Sequence, residues 1–226
     1  DLRRWYWCSV FLERYSSAVE SKARRDYQDM IALWNGSEMK PIPFVDADIR
    51  IGSAAYSVRD SASTASSVYS GVFCLLAQNG ARDWSAVEEI TLQNLQDHHI
   101  FPRDFLMRHG LQSRSDKSNM NSITNRTLIS GRTNQIIKAK APAEYLMDIR
   151  VFPTEPETVL GQHFIDVQVK KALEMAADGL DSQELRRIFE QFRNSRENLI
   201  VARIREACGV TLHEPSAADL ESIEED

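Results

Sequence analysis

The chain has 226 residues, of which 42% are hydrophobic and 27% charged, and a formal net charge of −6. It is long enough to bury a core as one large domain or two small ones. The acidic balance excludes a globally basic nucleic-acid binder, and no apolar run approaches the ~18 residues of a membrane helix, so no membrane partner is expected.

Three cysteines (Cys8, Cys74, Cys208) without CxxC spacing argue against a disulfide scaffold or a cysteine zinc clamp and point to a reducing cytoplasm. The opening Asp1-Leu2-Arg3-Arg4 lacks an initiator Met and reads as a piece of a longer protein. The average charge hides a polarity. Residues 214–226 carry six acids and no Lys or Arg, whereas residues 94–150 carry nine Lys and Arg against five Asp and Glu. The middle is basic and the tail acidic.

The N-terminal segment reads helical, with a mixed apolar face over Leu2–Leu12 and a second over Ser17–Trp34, stopped by Asn35-Gly36. Pro41-Ile-Pro43 opens an extended link through Ile51. Residues 60–78 read as a third helix, whose small residues allow close packing. Glu89–Leu92 alternates as a strand would, His98–Pro102 follows, and Arg103–Asn121 is a polar loop. Arg126–Ser130 is a second β-prone run, and Gly131–Lys140 a short helix stopped by Pro142. Thr154–Glu157 is a capping box opening a helix that continues toward Met175. Asp181–Glu184 opens the next, which runs to a Gly209 cap, with Arg186, Arg187, Arg193 and Arg196 read as solvated positions. The expected organisation is a helical segment 1–85, a strand-loop-strand-helix element 86–146, a helical segment 147–213 and an acidic tail 214–226.

Chemistry concentrates in the middle. Adjacent His98 and His99 on an extended segment point to opposite sides, so one can bind a metal while the other takes a proton. His98-His99-x-x-Pro102, then Asn125, then Asn134 nine positions on, resembles the ββα-metal (HNH) nuclease motif. Residues 97–106 and 122–146 look like the C-terminal HNH portion of GmrSD-like (DUF262-type) prokaryotic restriction and anti-phage proteins, and Leu2–Ser17 is similar to the helical segment preceding it. The fold class this implies is α+β, predominantly α-helical, with a ββα-metal element embedded between helical segments.

The resemblance implies the roles. His98 and Asn134 match the metal ligands, holding one Mg²⁺ (or Mn²⁺ or Ni²⁺). His99 matches the general base, and Asn125 the middle Asn whose hydrogen bonds fix the loop between the strands. Asp97 would orient an imidazole or assist the metal. Arg126, Arg132, Lys138 and Lys140 would hold the DNA backbone by charge. The implied activity is metal-dependent DNA hydrolysis, nicking in a monomer and leaving 5′-phosphate and 3′-hydroxyl ends, as the effector of a type IV-like defence protein. Its partners would be DNA, modified or phage-derived, and an N-terminal NTPase domain whose DGQQR-type motif this chain lacks. Two rivals stand beside it. One is a non-catalytic DNA- or protein-binding regulatory module. The other is a DHH-type phosphoesterase built on Asp46, Asp48 and Asp97-His98-His99.

Overall fold

A computed structural model describes residues 1–85 and 95–213. The expected strand Glu89–Leu92 and the acidic tail 214–226 lie outside the described residues. The protein is α+β and predominantly helical. In chain order it forms α1 (Leu2–Phe11), α2 (Val19–Trp34), α3 (Ile42–Arg50), α4 (Ser67–Gln78), β1 (Leu95–His99), α5 (Arg103–Arg108), α6 (Arg114–Asn121), a 3-10 turn (Ile123–Asn125), β2 (Arg126–Ser130), α7 (Gly131–Ile137), α8 (Pro142–Leu146), α9 (Glu157–Gln162), α10 (Val167–Met175) and α11 (Ser182–Cys208). Among the described residues no helix is long and apolar enough to cross a membrane. The chain divides into two units. One holds Asp1–Ser57, Ala65–Gly71 and the chain from Val201; the other holds Val58–Thr64 and Val72–Ile200.

In the first unit α1 buries Trp7, Cys8 and Phe11, with Trp7 stacked on Phe11 at 5.6 Å. The segment expected to be an extended link is instead α3. Pro41 and Pro43 sit where a helix start tolerates them, and Phe44, Ala47 and Ile51 recur on one buried face. Of the helix expected over 60–78 only Ser67–Gln78 forms, so the small residues 61–66 precede it instead of lining its packing face. A Cβ on Gly71 would come within 2.6 Å of Val10 Cγ1, so α4 approaches α1 where only glycine fits. Asp46 and Asp48 stand on α3, ion-paired to Arg14 and to Arg4 and Lys40. They are on a helix, and the described residues form only a two-stranded sheet, which removes the basis of the DHH-type reading.

The second unit holds that antiparallel sheet, β1 with β2, followed directly by α7. The segment Arg103–Asn121 is two helices, not a loop. Pro102 N-caps α5, and Ser113 and Asp116 form a reciprocal capping box at the start of α6. Pro142 opens α8 rather than merely stopping α7. The Thr154–Glu157 capping box does not form. α9 begins after Pro156 and stops at Gln162, and α10 restarts with Asp166 capping Val169 N. The core of this unit gathers around Phe101, which packs on Phe189 and Phe192 at 5.1 and 4.9 Å, and Trp84, which stacks on Tyr145 and Phe152. Ile100 and Phe101, the apolar pair directly after the histidines, are completely buried and tether the end of β1 to that core.

Candidate active site on the β1–β2 hairpin

The register pairs His98 with Thr127 and His99 with Arg126. Strand alternation then puts Asp97 and His99 on one face with Leu128 and Arg126, and Gln96 and His98 on the other with Ile129 and Thr127. The second face is the buried one: Thr127 and Ile129 are fully buried and His98 is 8% exposed. His98 Nε2 is buried and has no hydrogen-bond partner. Burial, reinforced by the electrostatic influence of the neighbouring His99 and Arg126, pushes its imidazole down to about 4, so it is neutral at pH 7. A buried ring nitrogen left unpaired is costly and calls for an explanation.

His99 is half-buried and held at both nitrogens. Its Nε2 lies 3.1 Å from Asn121 Oδ1, and Arg126 Nη1 donates to its Nδ1 at 3.2 Å. Arg126 can only donate, so Nδ1 carries the lone pair and Nε2 carries the proton that Asn121 accepts. Burial, and then the neighbouring guanidinium, hold the imidazole below its ordinary range. It is therefore neutral at pH 7, the state a base requires. Asp97 lies 3.4 Å from Arg126 Nε.

Asn125 is fully buried and closes the segment between the strands. Its Oδ1 accepts from Phe101 N at 2.8 Å, and its Nδ2 donates to Met120 O and Phe101 O at 3.0 and 3.2 Å. Its own carbonyl accepts from Ile100 N at 2.9 Å. Both side-chain ends are used, on backbone groups that otherwise have no water to turn to. Asn125→Ala is expected to cost about 3 kcal/mol, three buried hydrogen bonds at ~1 kcal/mol each, read as a lowered denaturant midpoint. A loss below about 1 kcal/mol would mean the loop is held by other contacts.

α7 is started by Ser130, whose hydroxyl accepts from Thr133 N at 3.0 Å. Asp83, also buried, accepts from Ser130 N and Thr133 Oγ1 at 2.7 Å each. Burial disfavours the ionised Asp83, but hydrogen bonds from Ser85, Ser130 and Thr133 outweigh it and hold the carboxyl below the usual range. A Cβ on Gly131 would sit 3.3 Å from the Gln96 amide nitrogen, so α7 begins over the same face of β1 that carries His98. Asn134, one turn into α7, is half-buried, and its side-chain amide makes no hydrogen bond among the described residues. Of the basic residues, Arg132 and Lys138 are exposed and form no ion pair among the described residues. Lys140 is paired to Asp148 at 2.6 Å, and Arg126 is committed to His99. Among the described residues no group of three or more His, Cys, Asp or Glu side chains could hold a metal.

Two supporting residues gave little signal in the sequence. His163 is fully buried; Nε2 donates to Arg82 O at 2.8 Å, and Nδ1 accepts from the hydroxyl of Thr127, the residue opposite His98. Burial pushes it down to about 4. His98 and His163 thus bind protons more readily unfolded than folded. Their stabilisation is complete above pH 6.5 and is lost as pH falls from 6.5 toward 4. Each imidazole is expected to cost about 2 kcal/mol of stability at pH 5 relative to pH 7.5. Urea midpoints at the two values check this, and His163→Phe should show the smaller acid loss.

Arg196 is the second. It and Arg193 are buried, correcting the expectation of solvated side chains. They lie four residues after Phe192 and Phe189 and so share their inward face. Arg196 donates five hydrogen bonds to four carbonyls: Ile123, Thr124, Arg126 and, twice, His163. Burial lowers its guanidinium to about 9, still protonated at pH 7.

The chain is similar to an uncharacterized protein of Methanocaldococcus jannaschii, 32% identical over 216 residues, which cover 91% of this chain and 37% of that protein. It therefore spans little more than a third of that relative's length. No protein-family model matches the chain, and no solved structure matches it significantly.

Proposed function

We propose that this chain is the nuclease portion of a prokaryotic, cytoplasmic defence protein of GmrSD-like type, a metal-dependent DNA endonuclease of the ββα-metal class. The observation that carries this reading is the division between the two histidines of β1. On the buried face His98 is neutral with Nε2 unpartnered, and on the other face His99 is a neutral imidazole with its tautomer set by Asn121. The order β1, a connecting segment that carries α5 and α6, β2, α7, and the amide of Asn125 closing that segment, support the same reading.

The residues fit a divalent cation. In its Nδ1-protonated tautomer the neutral His98 presents an unpartnered lone pair at Nε2, and Asn134 on the adjoining helix carries an uncommitted amide oxygen. His98 and Asn134 would hold the ion. Two neutral ligands leave positions for water and phosphate oxygens, which suits Mg²⁺, and imidazole also suits Mn²⁺ or Ni²⁺. When bound, the cation supplies stabilisation of the charge that develops on the phosphoryl and leaving oxygens. His99 Nδ1 takes the proton of the attacking water, while Asn121 keeps Nε2 protonated and the ring in place. Arg132 and Lys138 add positive charge for the backbone. DNA, and the remainder of a longer protein including an NTPase domain, are the proposed partners.

A supercoiled-plasmid assay with Mg²⁺, Mn²⁺ or EDTA tests it. Open-circle product that requires metal is the expected result. A folded chain that shifts DNA on a gel but never cuts it, under any metal, would instead establish the binding-module reading. The placement of Arg126 on His99 Nδ1 is the observation favouring that second reading.

A further inference from the structure

We propose that Arg126 is a substrate-released latch on His99: in the free protein it covers the nitrogen that must accept a proton, and a phosphodiester oxygen draws it away. This rests on the nuclease reading and adds a control to the same site.

The argument starts from the tautomer. Because Nε2 donates to Asn121, Nδ1 is the one ring nitrogen of His99 with a lone pair, and Arg126 Nη1 occupies it at 3.2 Å. A water molecule cannot hand a proton to a lone pair that already accepts from a guanidinium. The guanidinium itself is poorly served. Its side chain is only 15% exposed, its Nε is buried without a hydrogen bond, and the nearest Asp97 oxygen is 3.4 Å away. Charge-assisted bonds between a guanidinium and an anion run at roughly 2.7–2.9 Å, so Arg126 is short of anionic contact where it stands. A phosphate presents two oxygens in the geometry that the planar fork matches best.

Release needs no backbone movement. Arg126 opens β2 directly opposite His99, and its carbonyl is fixed by Arg196 at 2.8 Å. A side-chain rotation about that fixed pivot exchanges the neutral imidazole for a phosphate oxygen. Asp97 remains as the second anion beside the guanidinium. The device makes base availability conditional on a bound phosphodiester, so water alone in the site is not activated.

The test uses the ¹⁵N-labelled full chain at pH 7.5 in EDTA, so that duplex is added without the metal that cutting would need. His99 among the five histidines is assigned with His99→Ala, and its ring nitrogens are followed by long-range proton–nitrogen spectra. The probe is a short DNA duplex, with occupancy confirmed by gel shift. The expected result is that Nδ1 moves from a hydrogen-bonded toward an unbonded acceptor position as duplex binds, while Nε2 stays protonated. In Arg126→Ala and in the donor-free Arg126→Met, which keeps an unbranched stem, Nδ1 should be unbonded before DNA is added and should not move further. Their duplex affinity should fall, with a salt slope smaller by about one, as loss of one phosphate contact requires. Bound duplex with Nδ1 unmoved would overturn the latch and leave the nuclease reading standing. No duplex binding and no plasmid nicking by the wild-type chain would overturn both.

Discussion

His99→Ala is expected to lower metal-dependent nicking by about 10²- to 10⁴-fold, the range supplied by a positioned general base, with little change in stability. The effect is large because no neighbouring group is placed to replace it. Arg126 cannot accept a proton at neutral pH, Asn121 Oδ1 already accepts from the ring, and Asp97 lies against the Arg126 side chain. Stability should change little because His99 is half-buried and the strand is tethered elsewhere, by Ile100 and Phe101 in the core and by Asn125. Nicking rates on supercoiled plasmid, with circular dichroism melts of both chains, check the two halves together. Retention of wild-type nicking by a folded variant would sink His99 as the base. His98→Ala separates the roles. It should abolish the response to metal concentration itself, since that residue is assigned to hold the cation.

Arg196→Met is expected to destabilise the protein by about 3 kcal/mol or more, the largest single loss among the polar residues considered. Two effects oppose each other. Removing the cation relieves the burial that holds its guanidinium down to about 9. It also strips donors from four carbonyls, each unsatisfied buried group costing ~1–3 kcal/mol. The carbonyls are four and the charge is one, so the loss wins. Arg196→Lys should rescue little, because an ammonium cannot reproduce a planar fork spread over residues 123–126 and 163. Denaturant titration reads the loss; if both variants fall within 1 kcal/mol of wild type, the clamp is not what holds this segment. The same clamp fixes the backbone on either side of Asn125 and Arg126, so any folded fraction of the variant should also nick more slowly.

Local signals were legible where one residue decides a backbone state. Asn35-Gly36 ends α2 with Gly36 at φ +91°, Gly209 ends α11 at φ +60°, and Asp181 caps α11 through Gln183 N and Glu184 N. The β-branched run Arg126–Ser130 is β2, and the helix after it is α7. The readings that failed were those where local and tertiary preferences part. Residues 41–51 looked extended because of two prolines, yet three apolar residues at helical spacing found a core to face. The capping box of α6 was present in the sequence as Ser113 and Asp116 but was masked by a uniformly polar composition. The helix expected from Thr154 toward Met175 is broken at His163, whose ring turns inward to Thr127 and Arg82, and at Phe164, at φ +56°.

By itself the sequence determined the chain order of the site and the types of group in it: two adjacent histidines, an asparagine at the start of the second strand, another in the following helix. These follow from short-range rules of strand alternation, turn chemistry and helix spacing. Only the tertiary structure decided which histidine is buried with an empty nitrogen, which ring nitrogen of the other keeps its lone pair, and that an arginine 27 residues away in sequence sits on it. The reason is physical. Desolvation and tautomer are set by partners brought together through folding, Asn121 and Arg126 for His99, Thr127 and its His163 for the face that carries His98, and no local pattern encodes those distances.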